Sequence, residues 1–249
     1  MRFDVFSLFP EVFQPYLEIS ILKRAIANGL VEVYTHNIRD WSTDKHHTTD
    51  DTPYGGGGGM VMKPEPVFAA VESVLGAPPS CPVIMLSPQG ELFTQAIARE
   101  LATYDHLALL SGRYEGFDER IREHLATRVL SIGDYVLTGG ELPALIVMDA
   151  VARLQPGVLG DREATDDDSF AEDGLLEYPQ WTKPAVFRGW SVPEVMQQGN
   201  LGEQLKWKRK QSLIRTFKWR PDLLEKANLG DKDRKFLDRY LEDSNSDDV

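Results

Sequence analysis

Between Leu110 and Gly160 the sequence sets Gly112, Gly116, Gly133, Gly139 and Gly140 among short apolar runs, with Arg113, Glu115, Asp118, Glu119, Arg120, Asp134 and Glu141 around them. Glycine at a strand end lets backbone approach backbone, or backbone approach a ligand, with no side chain in the way. Charges that dense between apolar runs read as a polar pocket at strand ends. A set of tight turns between strands would give the same composition, so this stretch by itself leaves site and turns open.

A second stretch, Asp50 to Lys63, reads DDTPYGGGGGMVMK. Consecutive glycines are costly to order, about 0.5–1 kcal/mol each relative to alanine. The functional reading is a loop that closes on a ligand, and the plain one is a surface linker. No Gly-Lys-Ser/Thr follows, so the stretch is not a phosphate loop, and no GxGxxG follows a strand elsewhere. Nucleotide hydrolysis and dinucleotide oxidoreduction lose their support. His46-His47 followed by Asp50-Asp51 fits no strong zinc spacing and has no cysteine partners, so no metal site is expected.

The net charge of −12 argues at first against a nucleic-acid partner, but its distribution reverses that reading. Eight acids and one base fall between Asp161 and Glu177, whereas Gln204 to Arg220 holds seven bases and no acid. Phosphate binding needs positive density within roughly a Debye length, ~8 Å, and not a positive total. Trp207, Phe217 and Trp219 are interleaved with Lys206, Lys208, Arg209, Lys210 and Arg215 and would offer stacking surfaces to unpaired bases. The competing reading is a solvated helix face with its aromatics in a core.

The elements that must position these residues are α/β in pattern. Phe3 to Phe9 predicts a first strand stopped by Pro10, and Glu18 to Asn28 a helix stopped by Asn28-Gly29. A second strand is expected over Val31–Asn37, a helix over Glu65–Leu75, and a strand over Val83–Leu86. A helix over Gln95–Thr103, a strand over His106–Leu110 and a long apolar helix over Glu141–Leu154 follow. Strands that are apolar at nearly every position imply a largely parallel sheet covered on both faces. Residues 1–160 read as one domain, 161–190 as an acidic linker without a sustained period, and 191–249 as a small helical domain. Its helices are expected over Leu201–Trp219, Leu223–Ala227 and Lys232–Leu241, with a frayed acidic tail from Glu242. The lone Cys81 reads as a buried thiol in a reducing compartment. The amino terminus is no signal peptide and no run has the length of a membrane span, which predicts a cytoplasmic protein.

Seven segments carry a resemblance that spans nearly the whole chain in order. They are SLFPEVF, RDWSTDKHHTTDDTPYGGGGGM, LSPQG, GRYEGFDERI, SIGDYVLTGGELPALIVMDAVARLQPGVLG, DDDSFAEDGLL and KWKRKQSLIRTFKWRPDLL. Together they resemble the bacterial tRNA (guanine-N1)-methyltransferase (TrmD) family, and through it the knotted SPOUT methyltransferases. The chain departs from the family's usual pattern in two places. It has Gly58 where GGGPGM is usual, and it carries an extra acid in Asp166-Asp167-Asp168, with Asp173 beyond.

The resemblance implies a trefoil knot in the first domain and transfer of a methyl group from S-adenosylmethionine to N1 of the guanosine on the 3′ side of the anticodon. The donor is expected in three loops: Leu86-Ser87-Pro88; Gly112 with Tyr114 and Glu115; and Ile132, Gly133, Asp134, Tyr135, Val136 and Leu137 running into Gly139, Gly140 and Pro143. Ligand sites at the carboxyl ends of parallel strands fit the same places independently. Asp168 matches the family's proposed base for the N1 proton, and Arg153 the arginine that stabilises guanine O6. An ordinary aspartate, pKa about 3.9, is a weak base, and Asp166 and Asp167 would raise its proton affinity if close. The resemblance further implies a homodimer with shared active sites and tRNA held by Lys206, Lys208, Arg209, Lys210 and Arg215. The sequence leaves a magnesium requirement open. Action on another RNA position, and a non-catalytic RNA-binding protein on the same fold, are the alternatives.

Overall fold

In the computed structural model, which describes residues 1–160 and 167–246, the first strand is β1 (Arg2–Ser7), ended before Pro10. Two short helices, α1 (Gln14–Leu17) and α2 (Ser20–Ala27), lead to β2 (Glu32–Asn37). The stop after α2 is Asn28-Gly29, where Gly29 takes a φ of +68° open to glycine at little cost. A small antiparallel pair, β3 (Asp50–Asp51) and β4 (Val61–Met62), precedes α3 (Pro64–Leu75) and β5 (Val83–Leu92). There follow α4 (Gln95–Leu101), β6 (His106–Ser111), α5 (Glu119–His124), β7 (Arg128–Ser131) and α6 (Glu141–Ala152).

The five long strands form one sheet in the order β2-β1-β6-β5-β7, each pairing parallel. Side chains alternate across it, as strand geometry requires. Phe3, Val5, Ile84, Leu86, Leu107 and Leu109 face a layer built from α2, α4 and α6. Phe6, Val83, Met85, Ala108 and Leu110 face a second layer built from α3 and α5. The expected α/β sheet, apolar on both faces, is therefore the observed one.

The differences have local causes. β5 does not stop at Leu86. It continues to Leu92, with a register shift against β7 between Leu86 and Glu91. Gly90 lies in that shift, where an added Cβ would stand 2.6 Å from the backbone of Leu130. The four-residue β7, the six-residue α5 and the two-residue β3 and β4 are too short for periodicity to register.

One charge is buried in the sheet. Asp4 is fully enclosed and accepts hydrogen bonds from His36 Nε2 (2.5 Å), His106 Nε2 (2.6 Å) and Arg2 Nε (2.7 Å). Burial by itself would raise its pKa, but the bonds from His36, Arg2 and His106 outweigh it and hold the carboxyl well below the usual carboxylate range.

The chain divides into two compact units, Met1–Arg162 and Glu163–Val249. The second contains the hairpin β8 (Val186–Phe187) and β9 (Trp190–Ser191), then α7 (Glu194–Gln197), α8 (Leu201–Trp219), α9 (Pro221–Leu224) and α10 (Asp231–Ser246). Its hairpin turns on Arg188 and Gly189, both with positive φ, the two-residue turn that matches strand twist. Its buried core is small: Leu213 of α8, Leu237 of α10, and Leu175 from the acidic stretch. The tail expected to fray from Glu242 instead continues the last helix to Ser246. Asp161 to Asp166 fall outside the described residues.

Candidate active site

In the first unit β5, β6 and β7 are neighbours in the sheet, and the middle of β5, at its register shift, meets the loops after β6 and β7 around one cavity of about 310 Å³. Its walls come from residues 85–89, 112–117 and 130–140, with Pro143 from the first turn of α6. Every residue expected at a donor site lies on these walls except Asp134, which is exposed between wall residues Gly133 and Tyr135. Glu119, read from the sequence as one of the pocket charges, lines the cavity too, and so do Phe117 and Thr138, which were not singled out.

Among the glycines of these walls, Gly140 is the one whose missing side chain permits backbone approach. A Cβ on Gly140 would stand 2.7 Å from Ser111 Cα and 2.8 Å from Gly112 N. In the space this leaves, Gly140 N–H donates to Gly112 O at 2.8 Å and Ser111 Oγ donates to Gly140 O at 3.2 Å. Two of the three loops are thus bonded to each other through main chain. Side chains reinforce the junction. Glu141, at the start of α6, is buried and accepts from Ser7 Oγ (2.6 Å) and Arg113 Nε (3.1 Å). The Arg113 guanidinium lies 4.6 Å from the Phe9 ring centroid. Part of the charge density read as a polar pocket is therefore structural. Asp118 likewise caps α5, accepting from the amide and guanidinium of Arg120.

The five-glycine segment is the tip of the β3–β4 hairpin. Gly55, Gly56, Gly57 and Gly59 have positive φ, a conformation that L residues rarely adopt. The hairpin's return strand is stitched to the second cavity loop: Glu115 N–H donates to Met60 O (3.0 Å), Met62 N–H to Gly116 O (2.9 Å) and Asp118 N–H to Met62 O (3.0 Å). A side chain on Gly59 would collide with that of Glu115, a cavity wall residue.

Arg153 closes α6, its N–H donating to Asp149 O at 3.1 Å. Asp168 belongs to the second unit, in a looped segment held by main chain and hydroxyls. Phe170 N–H donates to Leu175 O (2.7 Å), Ala171 N–H to Asp168 O (3.1 Å), Glu177 N–H to Ser169 Oγ (3.0 Å) and Leu176 N–H to Thr216 Oγ1 of α8 (2.9 Å). Asp166, its expected electrostatic neighbour, lies outside the described residues.

The basic residues of α8 are not equivalent. Arg209 bridges Asp173 and Asp233, the latter at 2.7 Å, and its pKa is raised chiefly by Asp233. Lys206 pairs with Glu203 at 2.9 Å. Lys208 meets Tyr178, Lys210 lies 5.5 Å from the Phe236 ring centroid, and Arg215 lies 4.5 Å from that of Trp219. Of the interleaved aromatics, Phe217 packs against the core while Trp219 stays 61% exposed, so the reading of aromatics in a core holds for Phe217 and not for Trp219.

A parallel sheet with glycine-rich segments of adjacent strands around one cavity defines an α/β protein, the class in which small molecules bind at such places. Residues 1–226 match the family model described as tRNA (Guanine-1)-methyltransferase TrmD. A protein of Dehalococcoides mccartyi is 56% identical over 249 residues, covering all of both chains. One of Thermomicrobium roseum is 56% identical over 96% of this chain and 89% of its own, and one of Moorella thermoacetica 55% identical over 96% of each. All three are named tRNA (guanine-N(1)-)-methyltransferase. The chain belongs to this family of enzymes.

Proposed function

We propose that the protein transfers a methyl group from S-adenosylmethionine to N1 of the guanosine 3′-adjacent to the anticodon of tRNA. The observation that carries this reading is the cavity. Its volume is at the lower end of those that bind small molecules. Its walls include apolar residues such as Leu86, Ile132 and Leu137, several glycines, and the acids Glu115 and Glu119. Loop amides and carbonyls suit an adenine edge, and carboxylates suit a cationic donor. Residues 86–88, 112–115 and 132–143 would hold it. The tight Gly140–Ser111 contact fits loops threaded as a trefoil knot.

When bound, the donor supplies a methyl group on a sulfonium, already electrophilic. The chain must then manage the acceptor. N1 of guanine carries a proton, and negative charge develops at O6 as that proton leaves. Asp168 takes the proton and Arg153 stabilises O6, a division of labour in which base and cation act on opposite ends of one lactam. Lys206, Lys208, Arg209, Lys210 and Arg215 face phosphate in this reading, with Arg209 also bracing its own unit.

A second copy of the chain fits the apolar face of α6. Leu142 and Ile146 are about half exposed on a helix that is otherwise largely buried, and Tyr16 and Ile19 lie exposed nearby, with Tyr16 Oη donating to Asp149 of the same helix at 3.2 Å. Exposed apolar side chains in a contiguous patch mark interfaces. No described helix is long and apolar enough to cross a membrane. Action on tRNA would put the protein in the cytoplasm.

The test is transfer from labelled S-adenosylmethionine to unmodified tRNA with GG at the anticodon's 3′ edge, against the same tRNA with the acceptor changed to adenosine. Label at guanine N1, lost in the control, is expected. Asp168→Ala should abolish transfer and leave donor affinity intact; normal turnover in that variant would remove Asp168 from its role.

A further inference from the structure

The loop that carries Asp168 is tied to α8 by a chain of side chains that ends at its peptide neighbour. Lys208 Nζ donates to Tyr178 Oη at 2.8 Å and stands 4.2 Å from the centroid of the same ring. Tyr178 Oη–H donates onward to Asp167 Oδ2 at 2.9 Å. Tyr178 is 30 residues from Lys208 and 11 from Asp167, so both contacts are made by the fold and not by local geometry.

The phenol both accepts and donates, and bonds in such a chain polarise one another. The loop has other anchors: Leu175 in the core, Leu176 on Thr216, and Asp173 on Arg209. Those lie toward its far end, while Ala171 N–H on Asp168 O and Glu177 N–H on Ser169 Oγ hold the main chain just after Asp168. The phenol acts at the Asp167 end, where the direction of the next carboxylate is set. An ammonium has three N–H donors, and Tyr178 uses one of them. Lys208 is half-buried rather than enclosed, so its remaining donors can take an anionic oxygen without releasing the phenol.

We propose that Tyr178 is a positioning residue that couples an RNA phosphate gripped by Lys208 to the placement of Asp168. This rests on the reading of Asp168 as the base for guanine N1. Under it, RNA binding and base placement are joined through one phenol, and the coupling acts on the rate at saturation and not on affinity.

The experiment uses the full chain and Tyr178→Phe, which keeps the ring beneath the ammonium and removes only the two hydrogen bonds. Single-turnover transfer at saturating tRNA and donor should fall on the order of 10-fold, with both dissociation constants changed less than about 2-fold. Asp167→Ala should fall by a similar factor, and the double variant no further than either single one, because both break the same chain. A wild-type rate in Tyr178→Phe overturns the coupling, as does a double variant whose losses multiply. So does complete loss in Asp167→Ala, which would make Asp167 the base. A rate that falls only in step with a lowered melting temperature reduces Tyr178 to a stability contact and also overturns it. Absence of N1-methylation by the wild type overturns the reading of the site and the coupling with it, whereas a normal wild type beside an unaffected variant overturns the coupling alone.

Discussion

The two units solve the problem of holding a functional group in opposite ways. The first builds its cavity from main chain. Gly140 brings loop against loop, its backbone bond to Gly112 closes the junction, and two apolar layers support the strands beneath. The second has a buried core of Leu175, Leu213 and Leu237 with a few partly covered neighbours, and it fixes its loops with charged and polar side chains: Arg209 to two aspartates, Lys208 to Tyr178, Thr216 to Leu176. A site made of packed backbone is sensitive to volume and indifferent to salt. One made of half-exposed ion pairs tolerates volume and responds to salt and charge. That suits the first unit to a small, invariant ligand and the second to a polyanion.

The largest effect is expected where this contrast is weakest, at Asp4, the fully buried carboxylate in the sheet of the first unit. Asp4→Ala leaves His36, His106 and Arg2 around an empty position and should cost about 3–5 kcal/mol of stability, read from denaturant unfolding. The pH dependence has a definite sign. The folded pKa of Asp4 lies below its unfolded value, so its stabilisation is complete above the unfolded carboxyl pKa, about 4, and drains away as pH falls further. A wild type that loses no more stability than Asp4→Ala on acidification below pH 4 would show that the cluster contributes nothing through ionisation.

Next is the backbone junction itself. Gly140→Ala puts a methyl group against Ser111 Cα and Gly112 N, neither of which can rotate away as a flexible side chain would. Donor affinity should fall on the order of 100-fold, about 2.8 kcal/mol, by calorimetric titration with S-adenosylmethionine. Retained affinity would mean the loops part without loss, and the distinction between the units would go with it. In the second unit, Arg209→Met breaks both aspartate contacts at once. The guanidinium is about a third open to water, so the cost should be smaller, about 1–2 kcal/mol, and should shrink as salt is raised. Hydrogen exchange at the amides of α8 and α10 reads it directly, and unchanged protection there would show that apolar packing alone holds the unit.

The same contrast explains how much could be read from the sequence. Alternation and apolar runs are local signals, and they located four of the five strands of the sheet and its long helices, but not the four-residue β7 or the second half of β5. The cavity loops were legible because glycine beside a strand end is also local. Pairings between distant residues were not. Nothing in the sequence joins Ser7 to Glu141 across 134 positions, so Glu141 read as a pocket charge when it is a buried brace. Arg209 sits in a run of bases and reads as a phosphate ligand, but two aspartates from other segments hold it. The β3–β4 hairpin escaped because its strands are two residues long.

The smallest expected effect concerns that hairpin's tip. Gly58 is the glycine of the five that does not have a left-handed φ, and a Cβ there meets nothing within 4 Å. Its amide donates no backbone hydrogen bond among the described residues. Proline there would break no such bond and strike no neighbour, and proline removes freedom from the unfolded chain without needing a new contact. Gly58→Pro should therefore raise stability by about 0.4–1 kcal/mol, seen as a modest rise in melting temperature. Gly59 should not behave alike, because its φ is +88° and a side chain there would strike Glu115 on the cavity wall. Gly59→Ala should weaken donor binding while Gly58→Pro leaves it unchanged. Equal effects at the two neighbours would mean that the loop is too loose in solution for its backbone angles to matter, and that the main-chain character of the first unit ends at Met60.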